Sequence, residues 1–322
     1  MPREIIPEKS DLKGPSEVYA TLRDLIGLQH DAHGFSFLPR HAMQSLLSGR
    51  HRSKLRGRGL DFDEVRKYVA GDDIRNIDWR VTARVGATHT KVFTEERERP
   101  VLLLVDQSTS MFFGSQLYFK SVIAAHTAAL AAWRTLEVGD RLGGIVFTDS
   151  QIDFVSPKRD RRNVQRLLHL VSDRNQALGP GPVELGKNQL NEALRQAQQV
   201  ATHDFLLVLI SDFKWFDDQT MKELINLSRH NDIIAAHVVD PMEEKLPGAN
   251  LVMSDGEHQT LFEHHRKARS AFDEQQADKK QNIFSQFRRF GIPLLKIDTT
   301  EPVSAQLRKL MGGQMSMRRR KK

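Results

Sequence analysis

The sequence predicts an α/β protein built on a doubly wound, mostly parallel sheet, and two observations carry this prediction. Three short runs are almost entirely apolar: Val101–Val105, Phe205–Ile210 and Ile233–Val239. Runs of this kind are typical of strands that are buried on both faces of a parallel sheet. Segments with apolar residues at helical spacing separate them, and strands that alternate with helices favour a parallel sheet covered by helices on both faces.

The remaining elements between residues 99 and 312 fit one domain of this architecture. We predict helices over Leu117–Leu136, Arg159–Ser172, Gln189–Ala201, Gln219–His230 and Pro302–Met311, and further strands over Leu142–Thr148, Ile152–Ser156 and Ile292–Ile297. The first two of these strands are so close in sequence that we expect a hairpin. A short β insertion is predicted near residues 241–262, and a long charged helix follows it over Glu263–Phe290.

Residues 1–98 are predicted to form an N-terminal extension that packs on the main domain. Apolar residues recur at helical spacing from Glu17 to Leu28, whereas the stretch from Leu60 to Phe93 is polar, aromatic and without a dominant period. We therefore expect a loop-rich α/β unit, in which Phe62 and Trp79 are core residues that anchor it.

Composition sets the broad class of the protein. The chain has 322 residues, of which 39% are hydrophobic and 28% charged, and these values predict a soluble globular protein. It has no cysteine, which excludes disulfides, thiolate metal sites and cysteine nucleophiles. Its apolar runs are too short to span a bilayer, and the N-terminus carries no apolar secretory core, so we expect no membrane span and a cytoplasmic location.

The basic charge of the chain is concentrated at its C-terminus. The formal net charge is +7, and the last five residues, Arg318 to Lys322, are all basic. We expect residues 313–322 to be a basic disordered tail and the protein to bind no specific nucleic acid, since the body of the chain is not strongly basic. The basic stretch Arg50–Arg58 keeps a weaker alternative open, namely phosphate binding that weakens steeply with salt.

Polar residues follow two of the buried strands at the point where each strand ends. Asp106, Ser108 and Ser110 follow the first apolar run at alternate positions, and Asp212 follows the second. In a doubly wound sheet, ligands bind outside the carboxyl ends of the strands. Carboxylate and hydroxyl oxygens suit a hard cation such as Mg²⁺, with Mn²⁺ or Ca²⁺ as alternatives. The same residue types also form turns and helix caps, and local sequence alone leaves that reading open.

These residues resemble a known site. The pattern Asp106-x-Ser108-x-Ser110, with Asp212 after a later strand, is similar to the metal-ion-dependent adhesion site of von Willebrand factor A domains. The resemblance implies a further ligand, usually a threonine, in a loop that precedes a helix. The matching stretch here is Gly186-Lys-Asn188-Gln-Leu, so Asn188 takes the place of the threonine. Two readings stay open: Asn188 is an amide-oxygen ligand, or the change leaves the metal site weak or vacant.

The N-terminal half narrows the resemblance. The segment Gly57-Arg-Gly-Leu-Asp-Phe-Asp-Glu-Val-Arg-Lys-Tyr68, followed by Gly71-Asp-Asp-Ile-Arg-Asn-Ile-Asp-Trp-Arg80, resembles the signature of bacterial domain-of-unknown-function family 58. The resemblance implies a non-enzymatic interaction module with no catalytic residues. It also implies a partner, either a MoxR-type AAA+ ATPase that the protein serves as an adaptor or another protein that presents an acidic residue.

A metal-dependent phosphate-ester hydrolase is the alternative function. It would use Asp106 and Asp212 to hold the metal, but the sequence identifies no base or nucleophile for it. A Gly-x-Ser-x-Gly elbow and a phosphate-binding Gly-x-x-x-x-Gly-Lys-Ser/Thr loop are both missing from the sequence. Any dependence on ATP is therefore expected to come from a partner.

Overall fold

A computed structural model of the chain describes residues 17–33, 60–95, 99–179, 189–244, 251–254, 259–262 and 281–311. The described residues divide into two compact units, one formed by residues 60–95 and the other by the remaining ranges. Several predicted features lie outside the described residues, among them the basic stretch Arg50–Arg58, the tail from 313 to 322, and residues 263–280 of the predicted charged helix.

From residue 101 onwards, the strands of the central sheet and the longer helices between them follow one another in the predicted order. The strands are β1 Leu60–Lys67, β2 His89–Glu95, β3 Val101–Asp106, β4 Leu142–Phe147, β5 Ile152–Lys158, β6 Leu206–Ser211, β7 Asp232–Val239, β8 Leu251–Ser254, β9 Gln259–Phe262 and β10 Leu294–Asp298. The helices are α1 Leu22–Gly27, α2 Trp79–Val85, α3 Lys120–Glu137, α4 Arg161–Gln176, α5 Gln189–Val200, α6 Asp218–Ser228, α7 Pro241–Glu244, α8 over residues 281–289 and α9 Val303–Met311.

Six strands form the central sheet of the larger unit in the order β10-β7-β6-β3-β4-β5. All neighbouring pairs are parallel except β4 and β5, which form the predicted antiparallel hairpin. Numbered by their sequence within this sheet, the strands lie in the doubly wound order 3-2-1-4-5-6, whose topological switch point falls between β3 and β6. The predicted fold class is confirmed.

Strand β3 lies at the centre of the core, and all six of its residues are buried. Leu103 and Val105 pack in a cluster with side chains of α3, α4 and α9, whereas Leu102 and Leu104 pack in a cluster with side chains of α5, α6 and α8. Successive side chains of a strand point to opposite faces. Helices on both faces therefore require apolar residues at every position, which explains the uninterrupted apolar run.

Residues 17–33 pack on this α/β unit. Leu25 is fully buried, and its carbonyl oxygen accepts a hydrogen bond of 2.9 Å from the Trp133 indole of α3. The backbone N–H of Ala20 donates to Oδ1 of the buried Asn175 in α4, at 2.6 Å. These contacts make the N-terminal segment a third layer over α3 and α4.

The unit formed by residues 60–95 contains an antiparallel pair of strands, β1 and β2, to which the sequence analysis assigned no strands. Helix α2 follows Asp78, which caps it by accepting hydrogen bonds from the backbone N–H groups of Arg80 and Val81. The expectation that Trp79 is a core residue is wrong, because its side chain is 70% exposed. It is the first residue of α2, a helix that buries none of its side chains. The side chain of Phe62 lies outside the described part of the chain.

No helix in the described ranges is long and apolar enough to cross a bilayer.

Candidate functional site

The candidate site lies at the topological switch point of the sheet. Asp106 is the last residue of β3, and Asp212 directly follows the last residue of β6. These strands are parallel neighbours in which Val105 pairs with Ile210, so both carboxylates emerge at the same edge. The two side chains, which are far apart in the chain, meet because parallel strands end at a common edge of the sheet.

The loop after β3 links the two carboxylates through its serines. The backbone N–H of Ser108 donates to Oδ1 of Asp106 at 2.9 Å, and the Ser110 hydroxyl donates to Oδ2 of Asp212 at 3.0 Å. The two serine hydroxyl oxygens lie 3.2 Å apart. The four side chains that the sequence analysis selected from this pattern therefore lie together, and Asp106, Ser108 and Ser110 are each at most 6% exposed.

Ser211 is a further member of the site that the sequence analysis did not select. Its hydroxyl donates to Oδ2 of Asp106 at 2.6 Å and accepts a hydrogen bond from the backbone N–H of Phe213 at 3.0 Å. Ser211 is the last residue of β6 and is fully buried. Its position directly before Asp212, at the end of an apolar strand, is the sequence signal that could have identified it.

Lys120 is the second residue that was missed. It is the first residue of α3, its side chain is 1% exposed, and its ammonium donates to Oδ2 of Asp212 at 2.8 Å. The same ammonium donates to Oε1 of Glu243 in α7 at 2.6 Å. From the sequence, a lysine at the start of a helix is expected to have a solvent-exposed side chain. The contacts of Lys120 become visible only in the folded structure.

Burial and charge act differently on the two aspartates. Burial raises the pKa of Asp106 to about 7, and the negative charge of Asp212 adds to this effect. Burial alone would also raise the pKa of Asp212, but the Lys120 ammonium, together with hydrogen bonds from the Lys214 backbone N–H and the Ser110 hydroxyl, holds this pKa below its ordinary range. The negative charge of Asp212 is therefore already balanced by the Lys120 ammonium. An additional cation would stabilise the ionised form of Asp106 more than that of Asp212.

The charges of the cluster do not balance. The Lys120 ammonium contacts the carboxylates of Asp212 and Glu243, so when these two and Asp106 are all ionised, their negative charge exceeds the single positive charge of this ammonium. A carboxylate offers about four lone-pair directions, and the hydrogen bonds to Asp106 use two of them. Two carboxylates, two hydroxyls and this residual charge fit a hard divalent cation that also keeps water ligands.

No group of three or more His, Asp or Glu side chains within the described ranges is arranged to hold a metal ion. A cation at this edge would therefore depend on hydroxyl and water oxygens as well as on the two aspartates. His30 and His33, which lie close together in the sequence, are both exposed, and His33 forms a hydrogen bond with Glu137. Asn188, the expected fifth ligand, lies outside the described residues.

The loops around the site are held by their own contacts. The backbone N–H of Thr109 donates to Oδ2 of Asp149 at 2.7 Å, which fixes the serine loop to the turn between β4 and β5. Phe213 has a φ of +54°, in the left-handed region that disfavours bulky residues. Its buried ring packs edge-on against Phe287 and His237, and this packing offsets the backbone strain.

A shallow cleft opens beside Asp106. The space within it, about 280 Å³, includes open solvent. Its wall combines the acidic and hydroxyl groups of the site with apolar side chains; the lining residues are Asp106, Ser108, Phe147, Thr148, Asp149, Gln189, Leu190, Ser211, Lys214 and Trp215. Asp106 and Ser108 are thus the metal-ligand candidates that line this cleft.

Comparison with protein families gives one match. A model described as "Protein of unknown function DUF58" matches residues 64–282, which is more than half of the chain. Two mycobacterial proteins are each 28% identical to it over 264 residues, 80% of either chain: "Uncharacterized protein Mb1516" of Mycobacterium bovis and "Uncharacterized protein Rv1480" of Mycobacterium tuberculosis.

Three solved structures are also similar in fold. The conserved hypothetical protein BatB from Bacteroides thetaiotaomicron is 12% identical, with a TM-score of 0.38 over 66% of this chain and 98% of that one. An aerotolerance-related membrane protein from Bacteroides fragilis is 13% identical, with a TM-score of 0.41 over 66% and 96%. The SpRpn10 VWA domain is 14% identical, with a TM-score of 0.35 over 68% and 100%. Because these scores are low, the fold assignment depends on the strand order described above.

Proposed function

This chain belongs to the DUF58 family, and from that premise we propose that it is a non-enzymatic interaction module that recognises its partner through a divalent metal ion. The metal, Mg²⁺ with Mn²⁺ or Ca²⁺ as substitutes, is held by Asp106, Ser108, Ser110 and Asp212, with Asn188 as an additional ligand. The partner supplies an acidic side chain to the remaining coordination position. We assign the protein as an adaptor for a MoxR-type AAA+ ATPase.

The convergence of Asp106 and Asp212 at the switch point carries this proposal. Burial raises the pKa of Asp106 to about 7, and a divalent cation beside Asp106 and Asp212 would favour the ionised form of both carboxylates. Mg²⁺ takes only one or two carboxylates from a protein and keeps several waters. A partner carboxylate that replaces one of these waters would add a further charge-assisted contact.

The contacts of the serine hydroxyls favour binding over hydrolysis. Ser108 and Ser110 face each other, and Ser110 donates to Asp212. Within the described ranges, no histidine contacts either hydroxyl as a general base would. The choice of an ATPase partner comes from the family resemblance, and it assigns the complex to the cytoplasm, where ATP is available.

A binding measurement tests the proposal. The purified chain is immobilised and titrated with a MoxR-type ATPase from the same organism in Mg²⁺, in EDTA, and as the Asp106→Ala variant. We expect binding in Mg²⁺ and a loss of at least tenfold in affinity under the other two conditions. Asp218→Ala, a change at an exposed aspartate of α6, is the matched control and should bind like the wild type. Binding that is indifferent to both EDTA and Asp106→Ala would overturn the proposal.

The hydrolase alternative is tested by turnover. The purified chain is incubated with a panel of phosphate esters in Mg²⁺ and in Mn²⁺, with Asp106→Ala as the reference. We expect no turnover above that of the variant. Metal-dependent turnover that Asp106→Ala abolishes would replace the adaptor assignment with the hydrolase.

A further inference from the structure

A lysine side chain is buried at a position that is unfavourable for a cation. Lys120 begins α3, and the N-terminus of a helix carries the positive end of the helix dipole, which repels an ammonium. Its side chain is 1% exposed, so it also loses its hydration. The fold repays these costs through Asp212 and Glu243, with the ring of Phe113 at 5.9 Å from the ammonium.

The two acceptors of Lys120 belong to different parts of the molecule. Asp212 is a member of the candidate site, whereas Glu243 lies in α7, which directly follows β7 and leads towards the β8–β9 hairpin. Helix α7 has only four residues, and its start is held by Asp240, which accepts a hydrogen bond from the backbone N–H of Met242 at 2.8 Å. The side chain of Glu243 is 40% exposed, so a group outside the cluster can reach it.

We propose that Lys120 is a positioning residue that divides one positive charge between Asp212 and Glu243, so that occupancy of the cation site and the placement of α7 are coupled. This inference rests on the proposed function, because it requires a divalent cation at Asp106 and Asp212. A cation that engages Asp212 competes with the ammonium for the same carboxylate and strengthens the hold of Lys120 on Glu243. By reciprocity, a partner that binds Glu243 changes the affinity for the cation.

Variants that change the charge at Lys120 or Glu243 test this coupling, because it predicts how each variant changes the affinity for Mn²⁺. Lys120→Met removes the positive charge that faces the cluster, and we expect it to raise Mn²⁺ affinity about tenfold. Glu243→Gln removes a negative charge without removing a proposed ligand, and we expect it to lower Mn²⁺ affinity about tenfold. The double variant restores the net charge of the cluster, so its affinity should return to near the wild-type value.

Mn²⁺ affinity is measured by electron paramagnetic resonance of the free ion, with Glu192→Gln, an exposed change on α5, as the matched control. Backbone amide hydrogen exchange of residues 242–244, with and without Mg²⁺, gives a second readout. We expect Mg²⁺ to change exchange in the wild type and to change it much less in Glu243→Gln. If Lys120→Met does not fold, Glu243→Gln and the exchange measurement still decide the question.

Two results would overturn the inference, and they are distinguishable. In the first result, Glu243→Gln binds Mn²⁺ like the wild type, hydrogen exchange in α7 is the same with and without Mg²⁺, and Asp106→Asn abolishes Mn²⁺ binding. This result would refute the coupling but support the metal site. If the wild type binds no Mn²⁺, the proposed function fails together with the inference.

Discussion

The hydroxyl of Ser211 donates a hydrogen bond of 2.6 Å to Oδ2 of Asp106, and this contact joins the carboxyl ends of β6 and β3. Asp106 is buried at the switch point of the sheet, so the serine provides part of the solvation that water would otherwise supply. The same hydroxyl accepts the backbone N–H of Phe213, whose left-handed conformation turns the chain after Asp212.

Ser211→Ala should therefore lower the free energy of unfolding by about 1–3 kcal/mol, because it leaves a buried carboxylate and a buried N–H each short of a partner. Urea unfolding followed by circular dichroism measures this. Ser156→Ala, at an exposed position of β5, is the control and should stay within about 0.5 kcal/mol of the wild type. Equal stabilities of the two variants would contradict this role of Ser211.

Gly144 of β4 lies against Leu167 of α4, and a Cβ at this position would come within 2.6 Å of the leucine side chain. Gly144→Ala should destabilise the protein by about 1–3 kcal/mol, because the core must shift to admit the methyl group. Gly27 lies at the end of α1 with nothing within 4 Å of an added Cβ. Gly27→Ala should be neutral or stabilising by up to about 1 kcal/mol, and thermal unfolding of both variants distinguishes the two effects.

Asp240 is a fully buried carboxylate that connects three segments beside the candidate site. It accepts hydrogen bonds from the backbone N–H and hydroxyl of Ser115, the hydroxyl of Thr299 and the backbone N–H of Met242. Asp240→Asn replaces one acceptor oxygen with a donor, so we expect the free energy of unfolding to fall by about 2–3 kcal/mol. In urea unfolding, the exposed Asp173→Asn should change it by less than about 0.5 kcal/mol, and a similar small effect at Asp240 would refute the assignment.

We expect His126 to make the free energy of unfolding depend on pH. It is buried in α3, where burial lowers its pKa from 6.5 to about 4 despite the opposing charge of Asp24. Because the folded pKa lies below the unfolded one, the unfolded state binds the proton more readily between these values. The contribution is fully present above about pH 6.5 and is lost as the pH falls towards 4, for a total of about 3 kcal/mol.

His126→Phe checks this sign, since phenylalanine preserves the ring that packs edge-on against Tyr118. The free energy of unfolding is measured at intervals from pH 4 to pH 8 in both proteins. We expect the wild type to lose more stability than the variant below pH 6.5. Parallel pH profiles would show that His126 does not titrate on unfolding.

The sequence was sufficient for the central sheet because burial on both faces leaves a direct pattern. Phe205–Ile210 was predicted as a strand from its continuous apolar run, and β6 spans Leu206–Ser211. The convergence of Asp106 and Asp212 could also be anticipated, since parallel strands end at one edge. The boundaries shifted by up to four residues because helix and strand ends depend on hydrogen bonds that apolar periodicity does not record.

The exposure of Trp79 and the contacts of Lys120 could not be predicted from the sequence and became visible only in the folded structure. The aromatic character of Trp79 suggested a core position. The side chain is exposed instead, because it lies in a helix that buries none of its side chains. Lys120 contacts partners that are 92 and 123 residues away, and its neighbours in the sequence give no sign of them. Residue type predicts burial poorly when the decisive contacts are distant in the chain.

An anomalous difference map from a crystal grown in MnCl₂ tests the proposed metal site most directly. We expect one strong peak bounded by the Asp106 carboxylate and the hydroxyls of Ser108 and Ser110, on the side that faces Asp212, and its disappearance in Asp106→Ala. A map at saturating Mn²⁺ that has no peak at this edge of the sheet would contradict the metal-bridged function.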